Sequence, residues 1–255
     1  MPKKKKEELK IGTLKDVPDE GFVSTGVPEV DEILGGGFPR RRITQVYGLP
    51  GVGKSYLLSR CMASIDGKVL YVDTEFALNR HRLESMNIDL DQIDYIASSE
   101  LEKIAEYIIN NIEKYDLVVI DTLAKLTPMT VATNEVGTNA IGLVARQIGH
   151  FEAKLRPRLY QSQAAVVGVN QVRANLGFGN AETQAFGGWA WGHTIDLNLK
   201  LYKDANNKIY KTEDGVKREA GHWCSLKVEK SRVSTPLAIT KFRIDYPDNA
   251  KAIDK

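Results

Sequence analysis

The sequence predicts an α/β fold: a mostly parallel central sheet flanked by helices, with antiparallel strands towards the C-terminal end. Three observations carry this. Strand-like apolar runs alternate with helix-period segments from about Arg42 to Gln171, and such alternation implies parallel strands joined by right-handed crossovers. Two of the runs, DLVVID and AAVVGVNQ, are continuously apolar, as strands buried on both faces are. From about Thr194 to Asp245 the chain breaks into β-rich segments, with turn residues at DANNK and EDG.

Taken in order, residues 1–20 are charged and unpatterned and are expected to form a basic tail or short oligomerisation arm. Residues 21–255 are expected to form one compact core. RITQVYG is a short strand that runs into a glycine-rich loop, and KSYLLSRCMAS has helical composition. KVLYVDTE is an apolar strand ending in acids. ELEKIAEYIINNIEKY places Leu101, Ile104, Ala105, Ile108, Ile109 and Ile112 on one helical face. DLVVID is the next strand. A second amphipathic helix is expected from Ala140 to Leu155, with Ile141, Val144, Ala145, Ile148 and Leu155 as its stripe.

Composition narrows the function. The 255 residues are 42% hydrophobic and 27% charged, which suits a globular chain with a sizeable core. No apolar run approaches the roughly 18 residues of a membrane span, and MPKKKKEELK lacks the apolar region of a secretory signal. A cytoplasmic protein is expected. Cys61 and Cys224 are far apart and outside any C-x-x-C spacing, so both read as free thiols. The four histidines form no H-E-x-x-H pattern. A net charge of +2 leaves room for a local nucleic-acid surface. The Lys3–Lys6 run invites a DNA-binding reading, but reads more simply as a solvated tail.

Gly48-Leu49-Pro50-Gly51-Val52-Gly53-Lys54-Ser55 fits G-x-x-x-x-G-K-[ST] at every fixed position, between a strand and a helix that opens with Lys54, Ser55 and Tyr56. Glycines let backbone N–H groups converge on phosphate oxygens at a helix N-terminus. Lys54 is expected to reach the β- and γ-phosphates of a nucleoside triphosphate, and Ser55 to ligate Mg²⁺. Asp121, closing DLVVID, stands where a second Mg²⁺ ligand belongs, although strand-terminal aspartates also serve as caps. Asp73 and Glu75 close the preceding strand, and either could deprotonate an attacking water. Spacing does not choose between them.

These pieces, in this order, resemble the RecA family of strand-exchange recombinases, which includes bacterial RecA and its archaeal RadA-type and eukaryotic relatives. The resemblance covers roughly residues 22–246 and rests on VSTGVPEVDEILGGGFPRRRITQVYG, YVDTE, LVVIDTLAKLTP, NEVGTNAIGLVARQIGHFEAKL and VGVNQVR. It implies a RecA-like P-loop core. It selects Glu75 over Asp73 as the catalytic carboxylate, and makes Gln171 the residue that couples ATP to DNA. VRANLGFGNAETQAFGGWAWGH then resembles the second DNA-binding loop, with Arg173, Asn175, Phe178, Phe186, Gly187 and Gly188 as expected DNA contacts. Its glycines and its mix of arginine and aromatics suit that task independently. His193 stands where archaeal and eukaryotic members place a γ-phosphate sensor, although Trp189 and Trp191 beside it are not typical. KVEKSRVSTP resembles the bacterial segment whose two cations reach the ATP of the neighbouring subunit, here Lys230 and Arg232. Strand alternation would place both on one face.

The resemblance therefore implies a DNA-dependent ATPase using ATP and Mg²⁺. Its partners would be single-stranded DNA and a homologous duplex, and it would assemble as a homo-oligomeric filament or ring. The sequence reads as a near-minimal core of that family. The alternative is a RadB-like or KaiC-like accessory ATPase that regulates recombination without exchanging strands; a small-molecule P-loop kinase is a third class.

Overall fold

The computed structural model describes residues 11–19, 21–129, 140–173, 184–185, 194–203, 208–213 and 216–246. The lead-in holds β1 (Phe22–Val23), α1 (Pro28–Leu34) and β2 (Phe38–Pro39). The core then runs β3 (Ile43–Gly48), α2 (Lys54–Ser64), β4 (Val69–Asp73), α3 (Arg80–Ser85), β5 (Ile93–Ala97), α4 (Leu101–Asn111), β6 (Leu117–Asp121), α5 (Ala140–Gln161) and β7 (Ala165–Arg173). Last come β8 (Gln184–Ala185), β9 (Leu197–Tyr202), β10 (Lys208–Glu213), β11 (Val216–Ser231) and β12 (Ile239–Asp245).

The main sheet has the order β10-β11-β9-β3-β7-β6-β4-β5. The six strands from β9 to β5 are mutually parallel, while β11 runs antiparallel to β9, β10 and β12. The fold class therefore matches the sequence reading. Alternation along the central strands explains the continuous apolar runs. Leu117 and Val119 of β6 pack on one face, with α1 and α2, while Val118 and Ile120 pack on the other, with α4 and α5. Val69 and Tyr71 of β4 divide from Leu70 and Val72 in the same way. Each strand is sandwiched, so no polar alternation survives in the sequence.

Several boundaries differ from the sequence reading. α5 continues to Gln161, six residues past Leu155 and through Pro157. Proline removes one helical hydrogen bond and costs about 3 kcal/mol. Leu159 lies on the continuing apolar stripe with Ile148, Phe151 and Leu155, and burying such a side chain returns about 1.5–3 kcal/mol. Ile141, Val144 and Ala145 of the expected stripe have side chains outside the described residues. β5 was not expected, because an edge strand with a half-buried pattern carries little apolar signal. In the expected α4 stripe Ile109 is only partly buried, and the last turn, Ile112–Lys114, is 3₁₀. Both cysteines are free and buried, and burial pushes their thiols up, that of Cys224 to about 12. Among the described residues no helix is long and apolar enough to cross a membrane.

Candidate nucleotide site

The parallel sheet brings the motif residues to one edge. Gly48 ends β3 and pairs with Gln171 at the end of β7; Asp121 ends β6 and pairs with Asp73 at the end of β4. Phosphate loop, Gln171, Asp121 and the Asp73–Glu75 turn therefore line the carboxyl ends of four adjacent strands, where parallel α/β sheets bind ligands.

The loop owes its shape partly to its own packing. Gly53 caps α2 at φ 111°, and Gly51 has φ 72° with open space around its α-carbon. A Cβ on Gly53 would also lie 2.2 Å from Ile244 of β12. The left-handed φ accounts for Gly51, while the Gly53 position also answers to the strands beneath it. Val52 is buried among those strands, 2% exposed. Lys54 Nζ donates to the carbonyls of Gly48 and Leu49, each at 2.9 Å. Burial lowers the Lys54 pKa, and the charges of Asp121 and Glu75 partly offset this. Ser55 and Tyr56 follow in the first turn of α2.

Asp121 is raised above the usual carboxylate range, chiefly by burial and also by the charges of Glu75 and Asp73. Tyr71 donates to its Oδ2 at 2.8 Å. The two residues that spacing left open take different roles. Asp73 Oδ1 accepts from the backbone N–H of Glu75, and its Oδ2 accepts from the N–H of Leu78 and the hydroxyl of Tyr95. It organises the turn. Glu75 is exposed and accepts a 2.5 Å bond from Gln171 Nε2. Thr74 and Thr122, which the sequence reading passed over, tie the two turns together. Thr122 N–H donates to Thr74 Oγ1 at 2.8 Å, and Thr74 Oγ1 donates to the Thr122 carbonyl at 2.7 Å. Both threonines sit inside the quoted motifs, one residue past each strand-terminal aspartate; that repeated position was the available signal.

Ser55 and Asp121 offer one hydroxyl and one carboxylate to a metal. That hard, oxygen-only pair suits Mg²⁺, which keeps waters and substrate phosphates in its other positions. A carboxylate-rich edge with one lysine also favours an added cation.

Lys230 and Arg232 lie elsewhere. Lys230 pairs with Asn198, which pairs with Gln45, and the backbone N–H of Arg232 donates to the Asp196 carbonyl beside Ile43. They belong to the amino end of β3, three to five residues from Gly48, or roughly 10–17 Å at the ordinary strand rise. Glu229 is bulged out of register and β11 ends at Ser231. Arg232 therefore follows the strand, and the strand alternation expected to set both cations on one face does not extend to it. The Lys230 pKa is lowered, first by burial and then by neighbouring Arg232.

A polar chain joins these two ends through the sheet. Glu229 accepts from Asn198 Nδ2 at 3.2 Å and from the Tyr47 hydroxyl. Asn198 Oδ1 accepts from Gln45 Nε2, Gln45 Oε1 from Asn170 Nδ2, and Asn170 Oδ1 from the Gln171 N–H, all at 2.9 Å. Gln45 and Asn170 are buried.

Of the expected DNA contacts, Arg173 is described by its backbone, which pairs with Gln184. Asn175, Phe178, Phe186, Gly187, Gly188 and His193 lie outside the described residues.

The RecA N-terminal domain family matches residues 4–251. The chain belongs to the RecA family. Relatives named Protein RecA, from Synechococcus sp. (strain CC9902) and Prochlorococcus marinus (strain NATL1A), are each 30% identical over 230 residues. Each alignment covers 87% of this chain and 59% of the relative. The same protein from P. marinus strain AS9601 is also 30% identical, with 61% of its length covered. The chain thus spans about three-fifths of the length of these RecA relatives.

Proposed function

We propose that this RecA-family chain is a DNA-dependent ATPase of the cytoplasm, using ATP and Mg²⁺, and that it pairs single-stranded DNA with a homologous duplex as an oligomeric recombinase. One observation carries the reading: the chain places a phosphate loop with Glu75 and Gln171 at one end of its sheet, and two cations at the other end, too far away to serve that loop. Such a division suits a site assembled from two subunits.

In this reading the loop N–H groups and Lys54 bind the β- and γ-phosphates. Ser55 and Asp121 would hold Mg²⁺, which would supply positive charge to the phosphate oxygens. Glu75 takes a proton from the attacking water. Gln171 bonds Glu75 and also starts the chain segment that carries the proposed DNA contacts, so DNA and the catalytic carboxylate share one residue. Lys230 and Arg232 would meet the nucleotide of the adjacent subunit. Loss of γ-phosphate contacts on hydrolysis would release the DNA-holding geometry. DNA would be held mainly through its backbone, with homology supplied by base pairing.

ATP turnover with and without single-stranded DNA, followed by joint-molecule formation with a homologous duplex, tests this. Stimulated turnover with joint molecules is expected. Stimulated turnover without joint molecules would favour the accessory ATPase, and turnover indifferent to DNA would contradict both.

A further inference from the structure

Asp196, just before β9, is fully buried at 0% exposure. A buried carboxylate is costly unless it is paired and hydrogen-bonded. Here three separate elements supply the donors. Arg156 Nη1, from α5, lies 3.0 Å from Oδ1 and 2.8 Å from Oδ2. Arg232 Nη1, just past β11, lies 3.0 Å from Oδ1. The N–H of Ile43, opening β3, donates to Oδ2 at 2.9 Å. Arg156 is itself held by Glu152 and by the carbonyl of Thr194.

The members differ in exposure. The Arg156 side chain is 27% exposed, and the Arg232 side chain 50%. The carboxylate and Arg156 form the fixed part, and Arg232 is the part that reaches the surface. Arg156 is on the helix that begins directly after residues 130–139, and its acceptor Thr194 directly follows residues 186–193. By the resemblance, NEVGTNAIGLVARQIGHFEAKL spans the first DNA-binding loop and the helix after it, and residues 186–193 close the second. One carboxylate therefore gathers the cation assigned to a neighbour's nucleotide, the helix after one loop, and the chain leaving the other.

We propose that Asp196 is a positioning residue for Arg232, and that Arg156 makes this placement depend on α5. The inference rests on the two-subunit site proposed above. A long arginine loses side-chain freedom when it reaches an anion, and anchoring it beforehand removes that cost from the reacting complex. A misplacement of about 1 Å can cost on the order of 10²-fold in turnover.

A double-mutant cycle tests it. Asp196→Asn and Arg232→Ala, singly and together, are compared by DNA-stimulated release of labelled phosphate at saturating ATP, with folding checked by circular dichroism. Each single change should lower turnover, Asp196→Asn by about 10²-fold, and the double variant should be no slower than Arg232→Ala alone. Residues that act as one unit are non-additive in this way. If Asp196→Asn lowers turnover by the same factor in both backgrounds, Asp196 only supports the fold and the proposal is overturned. If Arg232→Ala leaves turnover intact, the two-subunit reading itself fails and the proposal falls with it. Should Asp196→Asn not fold, the same cycle with Arg156→Gln decides. A smaller loss that vanishes in the Arg232→Ala background supports the proposal, and an additive loss overturns it.

Discussion

The two ends of the sheet make opposite use of charge. At the carboxyl end, Lys54 stands among Asp121, Glu75 and Asp73, an acid-rich edge. At the other end Arg156, Lys230 and Arg232 gather around the single buried carboxylate of Asp196. In the proposed reading the two ends are complementary: one would supply the loop and carboxylates for a nucleotide and its metal, the other the cations. On that reading a subunit alone would not close the two together. Head-to-tail association would join one subunit's cations to another's phosphate loop, the heterologous geometry that generates rings or helical filaments.

The sharpest way to break this comparison is to remove the cationic end. Lys230→Ala with Arg232→Ala should spare ATP binding by an isolated subunit while DNA-stimulated turnover falls by about 10³-fold or more, the worth of a cation supplied in trans. Equilibrium binding of a fluorescent ATP analogue, beside phosphate release, would show the split; weakened binding by the isolated subunit would place the cations at the chain's own loop. At the other end, Glu75→Gln should keep nucleotide binding and slow hydrolysis by about 10²–10⁴-fold, the range for general-base removal. Asp73→Asn should act instead by loosening the turn, with a loss of thermal stability. Normal hydrolysis by Glu75→Gln would move the base elsewhere.

A smaller effect concerns what lies beneath the loop. His222 is buried, and its Nδ1 lies 3.0 Å from the Tyr246 hydroxyl. Burial, then the nearby charge of Lys203, lowers its pKa below the ordinary 6.5. The unfolded chain therefore binds the proton more readily than the folded one below about pH 6.5. Stability from the neutral ring is complete above that pH and is lost as pH falls towards the folded value. Urea melts across pH 5–7 should show this slope in the native chain, and His222→Gln should flatten it. An unchanged slope would assign it to other groups.

How far the sequence foretold this follows from where each partner lies along the chain. The positions of the glycine loop and Asp121 at the sheet edge were legible because each is written in a contiguous segment with a strand on one side. Asp73 and Glu75 could not be separated by spacing. Only the fold shows both Asp73 oxygens taken up by its own turn and by Tyr95, leaving Glu75 to Gln171. Asp196 was not legible at all: its arginines are 40 and 36 residues away, and an aspartate ahead of an apolar strand reads as a cap. The Asn198–Gln45–Asn170 chain was hidden for a related reason, since each amide looks like an isolated polar residue within an apolar strand until the register aligns them. The position of Arg232 was misread because β11 ends at Ser231, one residue short of the alternation that the reading assumed.

Mixing two inactive proteins tests the division of labour most directly. Lys54→Ala lacks a working phosphate loop but keeps Lys230 and Arg232; the Lys230→Ala, Arg232→Ala variant has the reverse. Neither should hydrolyse ATP alone. Co-assembled on single-stranded DNA, an interface that joins the second variant's loop to the first variant's cations is complete, and phosphate release should return to a fraction of the native rate. A mixture that demonstrably co-assembles yet stays as inactive as its components would contradict a nucleotide site shared between the two ends of neighbouring sheets.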